Sequence, residues 1–281
     1  MRRQAQIALC LLLGTLPIAA QCGFRTPAPP LLVSSQWLAG HLHGPNPEDR
    51  PSVLALASRA FLSGHIPGAR PLPGPGGDLV SALRRAGIRQ GTTVVIYQQA
   101  GLPIAAAQAF TALEALGLGL HVSVLDGGME TWREGGYAIA TGPEFATPLG
   151  DVAPCRNAEV RVDKAFVEAS LGRPSVTLLD ARLPPFFSGA AAEPGEPAGH
   201  IPGAVNLPYP AVASPDGELL PLAALRDLFR GAGVKQRDLV IVYCHSGRTA
   251  SLPYFAGRLL GLNIRIYTGS WREWSAPPAT K

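Results

Sequence analysis

Five consecutive apolar residues, Leu239-Val240-Ile241-Val242-Tyr243, break off at the polar run Cys244-His245-Ser246-Gly247-Arg248-Thr249, and an Ala/Leu-rich stretch from Ala250 to Leu260 follows. The unbroken apolar run predicts a parallel strand buried on both faces, and the Ala/Leu stretch predicts a helix. The polar residues between them then form a tight strand-to-helix loop. Apolar runs at Val53–Ala57, Val94–Tyr97, Val122–Leu125, Val176–Leu179 and Ile264–Tyr267 predict further strands. Helices are predicted over Asp78–Ala86, Pro103–Leu116 and Leu222–Phe229. Strands alternating with amphipathic helices imply an α/β fold with a mainly parallel sheet.

The pattern occurs twice. Gly64-His65-Ile66-Pro67-Gly68-Ala69 returns as Gly199-His200-Ile201-Pro202-Gly203-Ala204, and Val94-Val95-Ile96-Tyr97 returns as Val240-Ile241-Val242-Tyr243. Leu125-Asp126-Gly127-Gly128 with Trp132 returns as Tyr267-Thr268-Gly269-Ser270 with Trp274. Matches in the same order, running from Gly64 to Trp132 in one half and from Gly199 to Trp274 in the other, imply two copies of one domain. The expected division is residues 31–142 and 159–276, joined by a Pro-rich linker over 143–158. The copies differ where chemistry would sit. Gln98 occupies the place of Cys244, and aligning Ser63-Gly64 with Ser188-Gly189 sets Ala55 and Ala57 against Asp180 and Arg182. The first copy therefore lacks a nucleophile and packs against the second.

Composition narrows the function classes. A net charge of +4 with scattered Lys and Arg gives no basic run, so nucleic acid is not an expected partner. Arg2-Arg3, the apolar stretch Ile7–Leu16 and the small residues up to Ala20 read as an export signal over residues 1–20, too short to span a membrane. A periplasmic protein is the expectation; Gln21 is the wrong residue before Cys22 for lipid anchoring. Cys10 leaves with the signal. Cys22, Cys155 and Cys244 are too few and too far apart for a disulfide scaffold or a zinc site, so no metal is expected. Whether Cys155 pairs with Cys244 stays open.

At the carboxyl end of a central strand, Cys244 lies where open α/β sheets bind ligands. Backbone N–H groups of the loop and of the following helix favour an anion there, and the same field favours thiolate, the nucleophilic form. An inert buried thiol is the plain alternative. Gly247 sits mid-loop, where a positive φ or a close backbone approach calls for glycine. Ser246 and Thr249 supply hydroxyl donors. Arg248 either binds a sulfonate or carboxylate or is a solvated charge; His245 either contributes a proton or charge or does neither. Arg182 either binds substrate or pairs with Asp180, and pairing is the stronger reading for Asp180. His200 recurs as His65 in the copy without a cysteine, which favours a structural turn. Trp271 and Trp274 read as packing residues.

Asp180-x-Arg182, Gly199–Asn206, the Cys244–Thr249 loop and Gly269-Ser270-Trp271-x-x-Trp274 together resemble the tandem-domain rhodaneses, the thiosulfate and 3-mercaptopyruvate sulfurtransferases. The resemblance spans roughly residues 31 to 275. It implies two rhodanese-like domains, each a mainly parallel five-stranded sheet flanked by helices, the first inactive. It also implies double displacement without a cofactor: Cys244 takes sulfur from a small anionic donor as a persulfide, and cyanide or a thiol removes it. Ser246 with Thr249 suits 3-mercaptopyruvate, whereas His245 and Arg248 add the cationic character of thiosulfate loops; export favours thiosulfate. A thioredoxin-like reductant is a further expected partner. Two rivals stand beside this reading: a periplasmic persulfide carrier with little turnover, and a cysteine phosphatase. The phosphatase needs an arginine six residues after the cysteine, where this chain has Ala250.

Overall fold

The computed structural model describes residues 29–56, 59–73, 77–118, 121–143, 148–154 and 159–277. The expected export signal, Cys155 and Ala57 lie outside the described residues. The first copy runs β1 (Leu32–Val33), α1 (Ser35–Leu42), β2 (Ser52–Leu56), β3 (Arg70–Leu72), α2 (Leu79–Arg85), β4 (Thr93–Tyr97), α3 (Ile104–Leu116), β5 (His121–Leu125) and α4 (Gly128–Glu134). The second runs β6 (Arg161–Val162), α5 (Lys164–Ser170), β7 (Val176–Asp180), α6 (Pro184–Ser188), β8 (Val205–Asn206), α7 (Leu222–Gly231), β9 (Leu239–Tyr243), α8 (Ser251–Leu259), β10 (Asn263–Tyr267) and α9 (Ser270–Ser275).

Each copy forms one five-stranded parallel sheet, in the order β1-β5-β4-β2-β3 and β6-β10-β9-β7-β8. The four-residue apolar cores of β4 and β9 are buried, as strands covered by helices on both faces must be. The strands that the apolar pattern misses are β1, β3, β6 and β8, all two or three residues long. Register supports the equivalence of the copies: Ala55 lies opposite Tyr97 as Asp180 lies opposite Tyr243.

Helices α3 and α8 join the two copies. Seven of the nine residues of α8 are buried, and Phe110 meets Phe255 edge to face with centroids 4.7 Å apart. Apolar residues of both copies share one continuous core across this seam. Glu114 accepts a hydrogen bond from the Tyr254 hydroxyl at 2.7 Å and pairs with Arg258. A second seam lies at Asp126, whose carboxylate accepts the Leu219 N–H at 2.9 Å. The described part of the linker stays on the first copy, where Gly150 N–H donates to the Arg84 carbonyl and Arg84 Nε to that of Val152.

Candidate active site

β9 lies between β10 and β7 and ends at Tyr243, so Cys244 emerges at the carboxyl edge of the sheet. The Tyr243 hydroxyl accepts the Ile201 N–H at 3.1 Å, which ties the strand end to the Gly199–Ala204 turn. Burial, followed by the Asp180 carboxylate, pushes the Tyr243 phenol far up, so it stays neutral. Cys244 itself is 1% exposed.

The loop spends its carbonyls and keeps its amides. Cys244 and His245 carbonyls accept the Trp271 and Arg272 N–H groups of α9, both at 3.0 Å, and those of Arg248 and Thr249 begin the first turn of α8. Among the described residues, none of the amides of His245 to Ala250 donates to a protein acceptor. Six successive free N–H groups at a helix entry are an anion cradle. The Cys244 amide is held apart from this set by Ser270 Oγ, which accepts it at 3.2 Å and donates to the Tyr267 carbonyl at 2.8 Å. Ser270 has φ 55°, a left-handed conformation unusual for a residue with a side chain. Gly247 is required as glycine: its φ is 77°, and a Cβ would lie 2.5 Å from the Thr268 carbonyl oxygen.

The side chains divide into engaged and available. Arg182 Nη2 lies 2.6 Å from Asp180 Oδ2, Nε also reaches that carboxylate, and Nη2 donates to the Gly199 carbonyl at 2.7 Å. The pair is buried, and the guanidinium lies 4.8 Å from the Trp271 ring. Of the two readings left open, the ion pair is the one formed, bracing the end of β7 against the turn and α9. Arg248 and Ser246 are exposed, Thr249 is half-buried, and among the described residues Arg248 has no ion pair. His200 and His65 play the same structural part: each ring stacks on a phenylalanine and its Nδ1 meets that residue's carbonyl, Phe187 or Phe61. Trp271 packs as expected, with Nε1 donating to the Pro197 carbonyl.

Sequence reasoning missed Glu196. The ring-to-carbonyl contact spans four residues at His65 and thirteen at His200, so the second copy carries nine extra residues before its turn. That insertion brings Glu196 Oε2 within 3.1 Å of His245 Nε2, a contact bent away from hydrogen-bond alignment, and Oε1 within 3.0 Å of Arg272 Nε. The unequal spacing of the repeats was the available signal.

The first copy shows the same loop disabled. Gln98 turns its side-chain amide inward, with Nε2 within reach of the carbonyls of Ala100, Gly101 and Leu102 and Oε1 accepting the Ala106 N–H. The side chain is engaged by its own loop and by the start of α3. In the second copy Ala250, fully buried, stands where a phosphate-clasping arginine would be needed. Among the described residues no cluster of His, Cys, Asp or Glu could hold a metal, and no helix is long and apolar enough to cross a membrane.

Comparison with known proteins agrees with the two-copy fold. Residues 37–135 and 163–277 each match the family described as Rhodanese-like domain. SseB of Mycobacterium tuberculosis, carried under the name of a thiosulfate sulfurtransferase, is 37% identical over 251 residues, covering 86% of this chain and 82% of its own. The 3-mercaptopyruvate sulfurtransferase of Escherichia coli is 30% identical over 270 residues, covering 87% and 94%. The crystal structure of SseA from Escherichia coli superposes with a TM-score of 0.72 at 26% identity, covering 86% of this chain and 99% of its own.

Proposed function

The chain belongs to the rhodanese family of sulfurtransferases, and from that premise we propose that it moves sulfane sulfur from thiosulfate, or alternatively 3-mercaptopyruvate, through a Cys244 persulfide to cyanide or a thiol. The observation that carries the reading is the cradle: a buried cysteine followed by six amides with no protein acceptor among the described residues. The Cys244 sulfur attacks the donor's outer sulfur, the donor bond breaks, and sulfite or pyruvate leaves. The amides hold the negative charge as it passes from nucleophile to leaving group and rests on the persulfide. Ser246 and Thr249 add hydroxyl donors. Arg248 meets the donor's anionic group, because Arg182 is neutralised by Asp180 and His245 is held by Glu196. No step calls for a cofactor.

Intact mass spectrometry of the reduced protein with each donor, beside Cys244→Ser, tests this. One added sulfur in the wild type, removed by cyanide and absent from the variant, is expected. Absence of loading with both donors overturns the reading; loading without turnover moves it to a persulfide carrier. We further propose export, resting on the Arg2-Arg3 and Ile7–Leu16 pattern, with the mass of the processed N-terminus from a periplasmic fraction as the check. A thioredoxin-like reductant that keeps Cys244 reduced belongs to the same proposal. Its check is recovery of loading when such a protein is added after oxidation.

A further inference from the structure

The residue after the nucleophile is held by an acid in only one of the two copies. In the second, Glu196 rides on the nine-residue insertion and meets His245 Nε2 at 3.1 Å. In the first copy that insertion is absent, and Gln99, at the place of His245, donates to the Gly64 carbonyl at 3.3 Å. The insertion is latched to the site twice more, through Arg272 Nε on Glu196 Oε1 and Trp271 Nε1 on the Pro197 carbonyl. The acid therefore accompanies the cysteine.

Burial decides how the pair is arranged. His245 Nε2 and Glu196 Oε2 are both sealed from solvent without a hydrogen-bond partner among the described residues, and they lie 3.1 Å apart, so a small turn of either side chain pairs them. A carboxylate facing Nε2 holds the ring proton there and leaves the lone pair of a neutral ring on Nδ1. Among the described residues Nδ1 has no protein partner. The charged groups recorded with the ring are Glu196 from the insertion and, through Glu196, Arg272 from α9.

We propose that His245 is the base that takes the proton from a thiol acceptor, and that Glu196 is its positioning residue. The proposal rests on the sulfurtransferase reading and names the acceptor class for the same site. The step balances without an oxidant. The acceptor R–SH gives its proton to Nδ1, and its sulfur attacks the outer sulfur of the Cys244 persulfide. The S–S bond to Cys244 breaks with its electron pair on Sγ, and R–S–S⁻ leaves, taking the proton back from Nδ1 to depart as R–S–SH. Loading from thiosulfate moves no proton, because donor and leaving group are both anions.

Single-turnover unloading separates the two roles. Protein loaded by whichever donor works is mixed with 2-mercaptoethanol, or with sulfite, which has no proton to lose at mildly alkaline pH. In His245→Gln the ratio of thiol to sulfite unloading rates is expected to fall about a hundredfold, and in Glu196→Gln about tenfold, with Glu196→Asp recovering part of it. An acidic aromatic thiol, already ionised, is expected to restore the ratio in both variants. Equal slowing with thiol and sulfite, or an unchanged ratio in His245→Gln, overturns the role of His245. An unchanged ratio in Glu196→Gln overturns that of Glu196. Failure of the wild type to load overturns both this proposal and the sulfurtransferase reading.

Discussion

Gly247→Ala isolates what the loop backbone contributes. The residue has φ 77°, and an added Cβ would lie 2.5 Å from a backbone oxygen, inside the 3.0 Å that such contacts respect. A left-handed conformation costs a residue with a side chain about 1–2 kcal/mol. The overlap is with the Thr268 carbonyl rather than a flexible side chain, so the loop must move by roughly 0.5 Å; a 1 Å misplacement costs about a hundredfold in rate. The expected result is destabilisation of about 1–3 kcal/mol and persulfide formation slowed roughly tenfold or more. Gly203→Ala is the control. Its φ is 79°, yet nothing lies within 4 Å of the added Cβ, so it meets the backbone cost alone and loads at the wild-type rate. Urea unfolding followed by tryptophan fluorescence reads stability, and single-turnover loading followed by intact mass reads the chemistry. A Gly247→Ala protein that loads within twofold of wild type, or a Gly203→Ala protein that slows equally, would refute the reasoning.

Asp180→Ala leaves the buried Arg182 charge unpaired and is expected to cost about 3–5 kcal/mol in urea unfolding. Combining it with Arg182→Met should recover most of that loss, and no recovery would count against the brace. Ser270→Ala orphans the buried Cys244 amide at an expected cost of about 1–3 kcal/mol, with Ser270→Gly milder because it relieves the left-handed backbone. Equal stability of the two variants in the same titration contradicts that account. Burial, then repulsion from Glu218, raises the Asp126 carboxyl above its ordinary value, against the pull of the Leu219 and Gly127 amides. Its folded form thus binds a proton more readily than its unfolded form, so its contribution is full below the ordinary carboxylate range and lost as pH rises through the raised value. Asp126→Asn keeps the acceptor for Leu219 and is expected to melt above wild type near pH 7, the gap closing as pH falls into the acid range. A lower melting temperature than wild type near pH 7 sinks this explanation.

Much of the site was legible because it is contiguous. The β9 run, the Cys244–Thr249 loop and α8 follow one another along the chain, so apolar pattern and turn residues place the nucleophile at a strand end without any long-range contact. The internal repeat carried the argument further, since comparing the copies marks Gln98, Ala55 and Ala57 as the disabled counterparts of Cys244, Asp180 and Arg182. The edge strands were not legible, because two or three residues hold no period. Tertiary structure alone decided which charges remain available. Arg182 and Arg248 read alike as cations near a loop, and only folding puts Asp180 and Gly199 around one and solvent around the other. Glu196 lies nearly fifty residues from His245, in an insertion without apolar pattern or motif. Only packing of the insertion against α9 closes that gap, because local pattern records burial along the chain, whereas ion pairing depends on which distant segments burial brings together.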